Sequence, residues 1–216
     1  HSRVSFNSLF IIDPFLLLPL LIGAFALIIF KMTSQNRSRW SLTVLIISGI
    51  YLCICLVNKT IVNHKVEKDL AEQNIEYDEY MATPTPLNNI LWYVIARKEH
   101  DCYIGYYSVF DKKANITHEK FSRNDSLLEE FKDSDEMQKL LRFSKGYYSV
   151  HKEDTAVIFS DMRFGQIGGW YNPRAPFVFN FNISKTADNR VALQQGRFHS
   201  FEPDVLKHLI VRIKGK

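Results

Sequence analysis

Two long apolar blocks within the first 62 residues decide most of what this chain can fold into. The first, Phe10 to Phe30 (FIIDPFLLLPLLIGAFALIIF), holds one ionisable residue, Asp13, near its start, and the second, Trp40 to Val57 (WSLTVLIISGIYLCICLV), holds none. A helix rises about 1.5 Å per residue, so about 20 apolar residues match a hydrocarbon core of roughly 30 Å. Both blocks therefore predict membrane-spanning helices, against the alternative of a buried helical hairpin in a soluble protein. Pro14 suits a first helical turn, and Pro19 and Gly23 are tolerable within lipid where they would be costly in water. Trp40 and Tyr51 are placed to anchor at or near the interfaces.

Charge divides the chain at the same place. Before residue 60, Arg3, Lys31, Arg37, Arg39 and Lys59 face the single acid Asp13, and from Ile61 onward 22 basic and 22 acidic residues cancel, so the net charge of +4 belongs to the apolar part. A neutral second part gives no electrostatic footprint for nucleic acid. The connection KMTSQNRSR holds basic residues and no acid, which predicts a cytoplasmic turn and an extracytoplasmic domain. Arg3 and the Lys59, Lys65 and Lys68 group pull against that orientation, the latter diluted by Glu67 and Asp69. Cys53 and Cys55 lie inside the second apolar block and Cys102 stands alone beyond it, so no disulfide is expected within the soluble part. The chain starts at His1 with no basic leader, as a truncated or processed piece would.

Val62 to Tyr80 is rich in Glu, Lys and Ala and reads as a polar juxtamembrane helix continuing from the second span, ended by TPTP at Thr83 to Pro86. Beyond it, LWYVIA, CYIGYYSVF, NITHEKF, GYYSVH, AVIFSDMRF and PFVFNFNI are aromatic and β-branched runs separated by charged or glycine-bearing turns. They predict an antiparallel sheet. SLLEEFKDSDEMQKLLRF, Ser126 to Phe143, predicts a helix packed on that sheet and broken near Asp133. PDVLKHLIVRI, Pro203 to Ile213, aligns Leu206, Leu209, Ile210 and Ile213 and reads either as a terminal helix docked on its own domain or as a basic amphipathic end on a membrane surface. GYYSV occurs at Gly105 to Val109 and again at Gly146 to Val150, either as a duplicated hairpin or as chance recurrence.

The expected fold is two transmembrane α-helices followed by an α+β domain with an antiparallel sheet of about six strands and one or two packed helices. The divisions are an N-terminal flank over 1–9, a transmembrane hairpin over 10–62, a juxtamembrane helix over 63–82 and a soluble domain over 83–216.

Chemical signatures are sparse. The seven histidines, at 1, 64, 100, 118, 151, 199 and 208, are scattered singly, mostly at predicted turns or strand ends where a solvated imidazole is expected. No pair has the spacing of a zinc site. Asp13 is the one ionisable group near a membrane segment and reads either as a functional residue facing a bundle interior or as a helix cap before Pro14. The densest stretch is SDMRFGQIGGWYNPR, where Asp161 and Arg163, two apart on a strand, share a face and either pair with each other or bind an anion. FGQIGGW precedes a proline-bearing turn rather than a helix, which argues against a phosphate cradle.

RVSFNSLFIIDPFLLLPLL, TPTPLNNILWYVIA, IGYYSVFDK, RFSKGYYSV and DMRFGQIGGW, in that order over nearly the whole chain, resemble the C-terminal part of the bacterial inner-membrane, metal-dependent hydrolases described as LexA-regulated. The resemblance implies a multi-pass inner-membrane protein with a periplasmic soluble domain. It also implies a divalent metal, zinc among the candidates, whose ligands lie in a membrane region upstream of the segment matching Arg3. No metal ligand and no bound cofactor is expected in this segment. Asp13, Asp161 and Arg163 match family-like positions without an assigned role. The implied partners are the lipid bilayer and a membrane or periplasmic protein. The other expectation, of a different class, is a noncatalytic extracytoplasmic module tethered to the membrane that holds a partner on an aromatic sheet face or a free sheet edge.

Overall fold

A computed structural model describes residues 7–10, 12–31, 33–112, 115–153, 156–185, 191–195 and 203–215. The readings placed on His1, Arg3 and His199 lie outside the described residues.

The chain begins with an antiparallel helical hairpin. Helix α1 spans Pro14–Ile29 and α2 spans Ser34–Glu72. The Asp13 carboxylate accepts from the Phe15 amide at 2.9 Å and Pro14 supplies the first turn, so α1 starts at Pro14 rather than at Phe10. That start shortens α1 to 16 residues, about 24 Å at 1.5 Å each, short of a hydrocarbon core of roughly 30 Å. Among the described residues one helix, α2, is long and apolar enough to cross a membrane. The two helices approach closely at Gly23, where an added Cβ would stand 2.7 Å from Val44 Cγ2.

Helix α2 changes character along its 39 residues. Leu42, Leu45, Ile46, Ile50 and Ile54 are exposed apolar side chains, whereas Val62, Val66 and Leu70, spaced four apart, are fully buried. The helix ends in a Schellman motif: Asn74 takes a left-handed φ of 54°, its amide donates to Ala71 O, and the Ile75 amide donates to Leu70 O at 2.9 Å. The expected extension of this helix to Tyr80 is therefore cut at Glu72, and strand begins within it.

Among the described residues, eight strands form two antiparallel sheets, where one sheet of about six strands was expected. β1 (Glu79–Pro84), β2 (Leu91–Lys98), β3 (Asp101–Ser108) and β4 (His118–Ser122) make the first, and β5 (Tyr148–Glu153), β6 (Ala156–Gln166), β7 (Phe177–Lys185) and β8 (Val191–Gln195) the second, each in sequential order. β1 hides at sequence level behind a helix-like composition, and its Pro84 is tolerated at the end of an edge strand. LWYVIA shows why there are two layers. Trp92, Val94 and Ala96 cluster with Val62, Val66 and Leu70 of α2, while Tyr93 and Ile95 cluster with Tyr147 and Met162 of the second sheet side. A strand covered on both faces reads as a continuous apolar run.

The second sheet is covered in turn by a 3-10 helix (Asp125–Phe131) and α3 (Asp135–Ser144), whose Leu128, Phe131, Met137 and Leu140 cluster with Val150, Val157 and Phe159. The expected break near Asp133 is there, because Ser134 caps α3 by accepting from the Met137 amide at 3.1 Å. Helix α4 (Pro203–Ile213) docks Val205 and Leu209 on Leu91 and Trp170. Its Leu206 and Ile210, expected in the docked stripe, face outward. The two GYYSV copies are not equivalent: Gly105 sits inside β3, whereas Gly146 has a φ of 82° in the turn before β5.

Candidate functional site

A cleft of about 870 Å³ lies where the helical hairpin meets the two sheets. One wall is the whole of β1. Lys59 of α2 stands at the cleft, its Nζ donating to the Ala82 carbonyl at 2.6 Å and lying 5.4 Å from the Trp92 ring centroid. Leu9 and Phe10, just ahead of α1, also line it. The floor is aromatic: Tyr93, Tyr106, Tyr147 and Trp170.

Most polar atoms there are already engaged. The Tyr93 hydroxyl donates to the Met162 carbonyl at 2.8 Å, tying the two sheets together. Tyr106 donates to Gln166 Oε1 at 3.3 Å, and Gln166 Nε2 donates to Pro173 O and Ala175 O, both at 2.9 Å. Trp170 Nε1 donates to Val205 O at 3.3 Å. Two atoms there are buried with no hydrogen-bond partner, the Tyr147 hydroxyl, whose pKa burial raises, and Asn63 Oδ1. Such a wall offers aromatic faces to a ligand with apolar bulk.

Arg163 reaches the same cleft, but its charge is committed. Its Nη2 lies 2.6 Å from Asp161 Oδ2 and its Nε 3.0 Å from Asp161 Oδ1. Asp161 is fully buried and the guanidinium also lies 4.5 Å from the Phe143 ring centroid. Of the two sequence readings, the geometry is that of the mutual ion pair. The strand bulges between Asp161 and Gln166, and Gly165 takes a φ of 78° there, which explains the glycine without a phosphate. Asp13 stands apart from Asp161 and Arg163. Besides capping α1 it accepts from the Tyr51 hydroxyl at 2.8 Å, and it is 1% exposed between the helices.

A second buried constellation was not legible in the sequence. Asp69 of α2 accepts from His118 Nε2 at 2.8 Å, from the Ile116 amide at 2.8 Å and from Gln73 Nε2 at 2.9 Å. The His118 side chain is 2% exposed, in place of the solvated imidazole expected. Its Nδ1 is enclosed and unpartnered over Gly105, so this acid–imidazole pair is closed to a substrate and serves to clamp α2 to β4. The only sequence signal was period-two alternation in NITHEKF.

The divalent metal implied by the resemblance finds no ligand set here. Among the described residues no three of His, Cys, Asp and Glu converge, and the buried carboxylates of Asp13, Asp69 and Asp161 are bound to Tyr51, His118 and Arg163. No step through a metal is derived for this chain. No family model, no curated protein and no solved structure matches it.

Proposed function

We propose that this chain is the C-terminal, membrane-anchored part of a membrane-bound metal-dependent hydrolase, in which the soluble domain covers a membrane-embedded site and presents substrate to it. The observation that carries the reading is the position of the cleft: its aromatic floor opens beside Leu9, Phe10 and Lys59, where the apolar hairpin passes into the sheets. α2 supplies one span; α1, shorter, is the second, its end sealed by the Asp13–Tyr51 bond so that a buried carboxylate is not left unpaired in lipid. The soluble domain lies on the periplasmic side of the bacterial inner membrane. The hydrolytic activity rests on the sequence resemblance, and the metal that activates water would be held by an upstream segment. What this chain's own residues do is anchor, orient and enclose.

The test compares this chain with a version extended upstream, both purified in detergent, by elemental analysis and by turnover of amphiphilic ester and phosphodiester probes. Stoichiometric metal and turnover in the extended form only are expected, with Trp170→Ala raising KM more than it lowers kcat. No metal in either form overturns the hydrolase reading.

A second reading, a noncatalytic binding module with the same anchor, is favoured by one observation: the cleft runs along the whole of β1, which is an edge strand. An extended peptide would add there as a further strand. Co-purification of a stoichiometric partner released by β1 substitutions, with no metal in the extended form, would select it.

A further inference from the structure

The foot of the sheet domain carries two large apolar side chains that stand exposed among the described residues. Leu87 is 46% exposed and Phe110 58% exposed. They lie in different loops, but the register brings the loops together. Leu91 pairs with Ser108 across β2 and β3, and the Val109 amide donates to Ile90 O at 3.0 Å. Asn89, between them, is held from below: its carbonyl accepts from Asn58 Nδ2 at 2.9 Å and its own Nδ2 donates to Ser8 O at 2.6 Å. Asn58 directly follows the apolar block that ends at Val57, and Ser8 precedes α1. Both apolar tips therefore sit at the level where the hairpin leaves its apolar stretch.

Two further features single out this edge. Leu87 adopts a φ of 65°, a conformation that costs a bulky L residue energy, and Asn88 pins it by donating to Pro86 O at 3.0 Å and to Thr85 Oγ1 at 2.9 Å. Strain of this kind is spent on an exposed leucine, not on a buried one. Phe110 is fixed from the other side by α4. Ser108 Oγ donates to Ile213 O at 2.6 Å, the Arg212 guanidinium holds Asp111 at 2.5 Å and 2.8 Å, and Gly215 lies so close that an added Cβ would stand 2.5 Å from Phe110 O. Exposed Lys112 and Lys214 flank it.

We infer that Leu87 and Phe110 form a footing that inserts into the interfacial layer of the bilayer the hairpin crosses, with Lys112 and Lys214 reaching the lipid phosphates. The occupant of this surface is lipid because the surface continues the exposed apolar belt of α2 and ends at the same depth. The footing adds a second point of contact beside the hairpin, so the domain is held at one tilt and the mouth of the cleft is kept against the bilayer. The inference rests on the reading of α2 as a membrane span.

The test is spin-label depth measurement in nanodiscs of mixed phosphatidylcholine and phosphatidylglycerol. In a Cys53→Ser background, a nitroxide is placed by Phe110→Cys or Leu87→Cys, by Ile50→Cys in the exposed apolar stretch of α2, and by Tyr77→Cys at the far end of the domain. Oxygen should relax the Phe110 and Leu87 labels severalfold more, relative to a water-soluble nickel chelate, than it relaxes the Tyr77 label, with Ile50 deeper still. Phe110 and Leu87 labels as aqueous as Tyr77, with Ile50 deep, overturn the footing alone. An aqueous Ile50 label overturns the membrane span and the footing with it.

Discussion

His118 and Asp69 join the outer strand of the first sheet to the long helix that runs up from the apolar hairpin: Nε2 and Oδ2 stand 2.8 Å apart, with the side chains 2% and 0% exposed. Because Asp69 also accepts from the buried Ile116 amide and from the half-buried Gln73, it takes three hydrogen bonds. Asp69→Ala strands the buried His118 Nε2 and Ile116 amide donors, while Gln73 Nε2 keeps the Ile116 carbonyl at 2.8 Å. A loss of about 3 kcal/mol or more is expected in denaturant unfolding of the detergent-purified protein. An unchanged midpoint would mean that α2 is not clamped to the sheet.

Gly105 is the space this pair needs. An added Cβ would stand 2.7 Å from Ile116 Cγ2 and 3.1 Å from His118 Nδ1. Gly105→Ala should cost about 1–3 kcal/mol by overpacking, and should cost clearly less in a His118→Ala background, a non-additivity that a double-mutant cycle reads directly.

Acid should loosen the joint between the sheets. Burial pushes the Asp125 carboxyl up, but hydrogen bonds from Tyr148 (2.6 Å) and His100 (3.0 Å) and the Arg123 guanidinium outweigh it, so the carboxyl ends below the usual range. A carboxyl depressed in the folded state contributes stability above its unfolded pKa of about 3.9 and loses it as pH falls through the folded value. Melting temperature should therefore drop below about pH 4, and Tyr148→Phe should lessen that drop while leaving the fold intact. An identical acid profile for both proteins would contradict this.

Burial should silence one thiol. Cys102 is fully buried in β3 and burial raises its pKa to about 12. At neutral pH it should resist maleimide in the folded protein and react fully in denaturant, whereas labelling within minutes under native conditions would show that the two sheets part readily.

The parts of the fold legible in the sequence were those with one dominant period or one solvent. The exposed apolar stretch of α2, the broken helical segment around Ser134 and the strands from LWYVIA through PFVFNFNI announce themselves locally, whereas β8 did not. Nor did β1, because Glu79–Pro84 mixes charge with a proline that an edge strand tolerates and a central strand does not. The end of α2 was missed because its signal is a single Asn74 in a left-handed conformation. The division into two sheets depends on which face of each strand is covered, a tertiary fact. At the site level, the Asp161–Arg163 pair was readable because both residues share one strand face, while Asp69 and His118 lie 49 positions apart and meet only through the helix-to-sheet packing.

The central claim is that α2 carries the chain through a bilayer and directly into the core of the sheets. Membrane-impermeant maleimide applied to spheroplasts tests it, using Tyr77→Cys beyond the helix and Asn36→Cys before the apolar stretch, each with Cys53→Ser. The account predicts that the Tyr77 site is modified from outside and the Asn36 site only after permeabilisation. Modification of both sites from the same side would show that α2 does not cross, and would remove the anchor on which the proposed function stands.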